Sequence, residues 1–253
     1  MNALGGILAA ALVIIAAIAA PPWWRHRRRH QRLATPLPAS LQALLAQTRS
    51  WRRLPTSLRP VLAARVHVFL HEQSFIGCAG AVVDANMRVE IASQACLLLL
   101  GPRVCFAELR SILVYPEPFI VPQREEEDGV VTEYEQEVSG EAWDTSSVIL
   151  AWTDVASADE LCSPVVHEFA HHLDYADGAL RSRPRVRASF EALAAAIERG
   201  DETPIDRDAL QNEAEFIAYA SEAFFEAPRR LASFDSPLYE ELARYYGVDP
   251  AAW

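Results

Sequence analysis

Residues 167–171 read His-Glu-Phe-Ala-His, and this run constrains the fold more than any other feature of the chain. On an α-helix, positions four apart differ by about 40° around the axis, so His167 and His171 project from one face and can share a metal ion. Glu168, one step round, reaches a metal-bound water rather than the metal. Two neutral imidazoles suit zinc, which draws the pKa of its water towards about 7, and the carboxylate can take that proton and pass it to a leaving amine. Ser163-Pro164-Val165-Val166 just upstream starts a helix, with serine as N-cap and proline in the first turn. The plainer alternative is an amphipathic helix whose histidines face solvent. His172 lies about 100° off the ligand face and is not read as a ligand.

A catalytic zinc site has three protein ligands and a water, so one more side chain must come from downstream. Residues 212–222 offer it. Glu215 and Glu222 are seven apart and share a helical face with Tyr219 between them, whereas Glu213 falls on another face. An acidic helix is ordinarily a solvated surface, so periodicity alone leaves Glu215 open between ligand and surface. Rival chemistries find little support. Cys162 and Ser163 lack the flanking glycines of a nucleophile elbow. His67 and His71 are also four apart but have no third ligand in sight, and read as helix-surface residues. The cysteines at 78, 96, 105 and 162 contain no Cys-x-x-Cys pair, which argues against a cysteine zinc knuckle, and they are too few for a disulfide scaffold.

Charge divides the chain in two. Residues 1–71 carry 10 arginines and no acid, while the remainder carries 13 arginines against all 34 acids. So acidic a body argues against direct nucleic-acid binding. The basic end follows an uncharged run, residues 3–20, long enough as a helix to cross a hydrocarbon core at about 27 Å. Trp23 and Trp24 then sit where an interfacial aromatic belt belongs, and five arginines fall within residues 25–32. The positive-inside rule keeps that cluster in the cytoplasm. The expectation is a single-pass membrane protein, anchored by its N-terminal helix, with its body in the cytoplasm. Export with cleavage near Ala17-Ile18-Ala19 is the competing reading, although positive charge is missing ahead of the apolar run. The domain boundaries follow: 1–24 a transmembrane anchor, 25–49 a basic juxtamembrane segment and linker, 50–253 the folded domain.

Within that domain, apolar spacing predicts helices over 58–72, 89–100, 161–174, 186–199, 213–225 and 238–246. Strands are expected at 112–115, 119–121, 130–134 and 148–152, with an acidic turn at 125–129. Strands in the middle and helices at both ends make an α+β pattern.

Three pieces of sequence together resemble the Mlc titration factor A family of bacterial zinc-dependent peptidases. They are His167-Glu168-x-x-His171-x-Leu173-Asp174, Ala214-Glu215-x-x-Ala218 and Val114-Tyr115-Pro116-x-Pro118-Phe119, and the likeness spans roughly residues 50–250. The resemblance implies a zincin-like metallopeptidase domain, with a small central sheet and flanking helices, preceded here by one transmembrane helix. Carried over by position, His167, His171 and Glu215 are the ligands of one zinc ion and Glu168 is the general base. Asp174 and Glu222 would orient ligand imidazoles. Peptidase or aminopeptidase activity on a peptide or protein substrate is implied. The family usually has a tyrosine seven residues before the third ligand; here that position is Asp208, which cannot donate to an oxyanion unless protonated, and Tyr175 or Tyr219 would have to substitute. A second reading is therefore kept: a zinc-stabilised binding protein that sequesters a transcriptional repressor with little catalysis.

Overall fold

Among the described residues, five α-helices begin at a side chain that accepts a backbone N–H: Thr48 from Trp51, Asp84 from Met87, Ser163 from Val166, Asn212 from Ala214 and Glu215, and Asp235 from Leu238. Each satisfies donors that the first helical turn leaves without partners. The computed structural model describes residues 26–127, 130–138, 146–157 and 162–253. In chain order the elements are α1 (residues 26–33), α2 (Ala39–Leu45), α3 (Arg49–Arg53), α4 (Arg59–Glu72), β1 (Ser74–Gly77) and α5 (Ala85–Ala95), the last running into a 3-10 turn at Cys96–Leu99. Then come β2 (Ser111–Tyr115), β3 (Phe119–Glu127), β4 (Val130–Val138), β5 (Ser147–Ala151), α6 (Trp152–Ser157), α7 (Pro164–Asp177) and α8 (Pro184–Glu198). A 3-10 turn at Arg207–Gln211 leads into α9 (Glu213–Glu226), α10 (Pro228–Phe234) and α11 (Ser236–Tyr246).

Three strands form one parallel sheet in the order β1-β2-β5, in register Phe75 to Ile112 to Val148. The β3–β4 ribbon is antiparallel and separate, pairing Phe119 with Val138 at one end and Glu127 with Val130 at the other. Helices and a small sheet make the mixed α and β architecture that the sequence pattern implies. The core joins sheet to helices: Ile112 and Val114 of β2, Phe69 of α4 and Phe169 of α7 are all at most 3% exposed. Phe169 meets Phe106 and Phe69 with ring centroids 4.7 and 5.6 Å apart. That contact fixes the rotation of α7 about its axis, which decides where its histidines point.

Several elements depart from expectation for local reasons. The helix expected at 89–100 starts earlier, because Asp84 caps it, and tightens to 3-10 geometry after Ala95. β3 continues through Glu125–Glu127, expected as a turn, because the ribbon's backbone pairing with Thr132, Val131 and Val130 continues. β1 is absent from the sequence reading, and so is α10. The stretch 25–49, expected as a juxtamembrane segment and linker, folds onto the body from residue 26, burying Leu37 and Leu45. His67, expected on a helix surface, is 8% exposed, with Nδ1 3.1 Å from the Thr35 carbonyl oxygen. The apolar run 3–20, expected as the membrane anchor, lies outside the described residues. Among the described residues no helix is long and apolar enough to cross a membrane.

Candidate metal centre

α7 begins at Ser163 with Pro164 in its first turn and ends at Gly178, which takes the left-handed conformation (φ 56°) and donates its N–H to the Asp174 carbonyl. Glycine bears that backbone without a Cβ penalty. Between these ends His167 and His171 stand one turn apart with their Nε2 atoms separated by 3.2 Å. α9 packs alongside α7, and Asn212 secures its first turn by accepting N–H bonds from Ala214 (2.9 Å) and Glu215 (3.0 Å). The Glu215 carboxylate thereby faces both imidazoles, Oε2 lying 3.3 Å from His167 Nε2 and Oε1 3.1 Å from His171 Nε2.

These three residues form the one group of metal-capable side chains found among the described residues, with ligand atoms all within 4.8 Å of one another. Two imidazole nitrogens and one carboxylate oxygen are a zinc donor set. Donors held 2.0–2.1 Å from a tetrahedral centre lie about 3.3–3.4 Å from each other, and the observed separations of 3.1–3.3 Å approach that spacing. The residues present fit the ion.

Electrostatics point the same way. Burial works to lower the His167 pKa, but hydrogen bonds to Glu215 and Glu222, with the charges of Glu168 and Glu222, push it up to about 10. Burial likewise works to raise Glu215, yet His167 and His171 hold its carboxyl well below the usual carboxylate range. In this geometry a proton on His167 supplies positive charge that a metal cation would otherwise bring.

Around the triad the arrangement is partly as expected. Glu168 is 7% exposed on the same helix, next to His167. Glu222, two turns beyond Glu215, has Oε2 3.5 Å from His167 Nδ1, and its Oε1 accepts the Ser163 N–H. Ser163 Oγ meanwhile accepts from Val166 N at 3.2 Å and donates to Gln94 Oε1 at 2.8 Å. Asp174, expected to orient a ligand imidazole, instead pairs with Arg181, whose Nε lies 3.1 Å from Oδ2. His172 is fully buried against Phe106 and stands apart from the triad. Ser163 is committed to capping, as befits a structural serine, while Cys162 is exposed beside it.

Two phenols flank the imidazoles. The Tyr219 ring meets His167 edge-on with centroids 4.6 Å apart, and Tyr175, 55% exposed, stacks beside His171 at 6.3 Å. Burial, then the carboxylates of Asp208, Asp206, Glu222 and Glu215, raise the Tyr219 pKa, so its hydroxyl keeps its proton and stays a donor. Asp208 sits on the 3-10 turn ahead of α9. Sequence reasoning missed Gln94 and Arg181. Gln94 lies 69 residues from its partner, and no motif or periodicity links the two.

Comparison with known proteins supplies an independent line. The sequence profile of the glucose-regulated metallo-peptidase M90 family matches residues 22–247. An uncharacterized protein of Synechocystis sp. is 35% identical over 242 residues, covering 87% of this chain and 88% of its own length. Mlc titration factor A of Serratia proteamaculans is 32% identical over 203 residues (72% of this chain, 77% of that protein), and its namesake from Escherichia fergusonii is 27% identical over 216 residues (78% and 82%).

Proposed function

Because the chain belongs to the glucose-regulated metallo-peptidase M90 family, we propose that it is a zinc-dependent peptidase of zincin-like fold that hydrolyses peptide bonds. The observation that carries this reading is the convergence of His167, His171 and Glu215 from two helices onto one point. These three side chains would hold the ion. When bound, zinc supplies Lewis acidity to the scissile carbonyl and to a water molecule. Glu168 takes the proton from the attacking water and delivers it to the leaving nitrogen. Glu222 holds Nδ1–H of His167 towards itself, which keeps the Nε2 lone pair for the metal. Tyr219 and Tyr175 are the donors beside the imidazoles, where Asp208 offers none. In this reading residues 3–20 anchor the chain in the bacterial inner membrane with the body on the cytoplasmic side, as the arginine cluster requires.

A second reading is a zinc-stabilised protein that titrates a transcriptional repressor. It is favoured by the name of the relatives, Mlc titration factor A, and by Asp208 in place of a donor. The test combines metal content with turnover. The parent should carry about one zinc per chain, largely lost in both Glu215→Ala and His171→Ala. Glu168→Gln should keep the zinc and lose peptide hydrolysis by roughly 10²- to 10⁴-fold. Zinc that survives Glu215→Ala would move the third ligand elsewhere. Repressor binding that survives Glu168→Gln, with no hydrolysis by the parent, would favour the second reading.

A further inference from the structure

The basic N-terminal helix is clamped to the body. Arg29 of α1 grips the Glu72 carboxylate at the end of α4 through Nε and Nη2, at 2.9–3.2 Å. Docked in this way, α1 closes a cavity of about 460 Å³ against the turn at residues 106–110. Arg28, Arg29, Arg32 and Arg110 line it with His71, opposed by the acids Glu72 and Glu108. Glu72 is already held by Arg29, so positive charge is in excess. His71 feels that excess: burial first, then Arg32, His67 and Arg28, push its pKa down, against the pull of Glu72. Arginines lining one cavity supply the chemistry that binds a phosphate group.

Position says where the phosphate would come from. Trp24 ends the apolar N-terminal segment, and Arg32 follows eight residues later. From residue 26, where α1 begins, Arg32 lies about 9 Å along the helix, comparable to the Debye length of about 8–10 Å at physiological salt. Headgroups of a bilayer that holds residues 3–20 would thus lie within reach of these arginines, and the exposed Arg27 and Arg28 of α1 face the same field. We infer that the cavity between α1 and residues 106–110 binds the phosphate of an anionic phospholipid headgroup and so fixes the body against the membrane. This rests on the membrane reading of residues 3–20.

Hydrogen exchange on the full chain tests it, in vesicles of phosphatidylcholine alone and with about a third phosphatidylglycerol. Amides of residues 26–33 and 106–110 should exchange at least about threefold more slowly with the anionic lipid. The double variant Arg32→Gln/Arg110→Gln should lose that slowing while behaving as the parent does in the neutral vesicles, and Arg32→Lys alone should retain most of it. Equal exchange in both lipids, with the chain inserted, overturns the proposal. So does equal slowing by inorganic phosphate in neutral vesicles, or stronger protection by a single-stranded oligonucleotide. A chain that ignores neutral vesicles but binds anionic ones through Arg32 and Arg110 keeps the cavity and removes the anchor.

Discussion

The protonation of His167 is coupled to what fills the site. Against the pull of burial, the Glu215 and Glu222 carboxylates push its pKa from the ordinary 6.5 up to about 10. A group raised on folding stabilises the fold fully below its unfolded pKa and loses that contribution as pH climbs through the folded one. Counting this group, the metal-free protein should therefore lose stability between about pH 6.5 and pH 10, where its proton is shed. Zinc has the opposite preference, because it binds the neutral imidazole. Thermal unfolding of metal-free and zinc-loaded protein should show a gap that widens from about pH 6 to about pH 9; a constant gap would uncouple the His167 proton from the metal. Glu222 makes a sharper test of orientation. Its Oε2 faces His167 Nδ1 at 3.5 Å, and Glu222→Gln should weaken zinc binding about 10- to 100-fold, read by competition with a chromogenic chelator. Unchanged affinity would reduce Glu222 to its bond with the Ser163 N–H.

At the scale of elements, α7 was the most legible part of the chain, because its signals are local. Ser163-Pro164 marks its start and the histidine spacing its functional face, whereas its end, expected at 174, runs on to Asp177 before Gly178. β1 was illegible for the opposite reason. Ser74–Gly77 is four residues long, with Ile76 46% exposed, and it is a strand only because β2 lies beside it. The site divides in the same way: His167 and His171 could be paired from spacing, whereas the Arg181 partner of Asp174 follows a turn that no periodicity describes. The start of α7 yields a prediction that separates capping from metal chemistry. Ser163→Ala removes the cap on Val166 and the bond to Gln94, but keeps the backbone N–H that reaches Glu222. It should cost about 1–2 kcal/mol of stability in denaturant unfolding while leaving zinc affinity within about threefold. A large loss of zinc with little loss of stability would show instead that the hydroxyl, not the backbone, positions Glu222.

At the scale of the whole molecule, the metal centre depends on contacts far from it in sequence. α9 carries Glu215 and Glu222, and its last residue, Glu226, is tied to α3 by Arg49 at 2.6 Å and Arg53 at 2.5 Å. From the other side α11 supports α9: the Tyr246 hydroxyl donates to Ser221 Oγ at 2.8 Å, one residue before Glu222. Tyr246 is in turn set by Gly101, where an added Cβ would lie 2.0 Å from the Tyr246 carbonyl oxygen. Neither atom is a flexible side-chain end, so backbone must move. Gly101→Ala should therefore destabilise by about 1–3 kcal/mol, lowering the melting temperature by on the order of 5 °C. Gly200→Ala is the comparison, because Gly200 has φ 78° with nothing within 4 Å of its Cβ position, and only the left-handed backbone is penalised. If α11 sets the position of α9, Gly101→Ala should also weaken zinc binding, whereas Gly200→Ala should not. Equal zinc affinity in the two variants would mean that α7 and α3 suffice to hold α9, and that the C-terminal helix stabilises the fold without shaping the site.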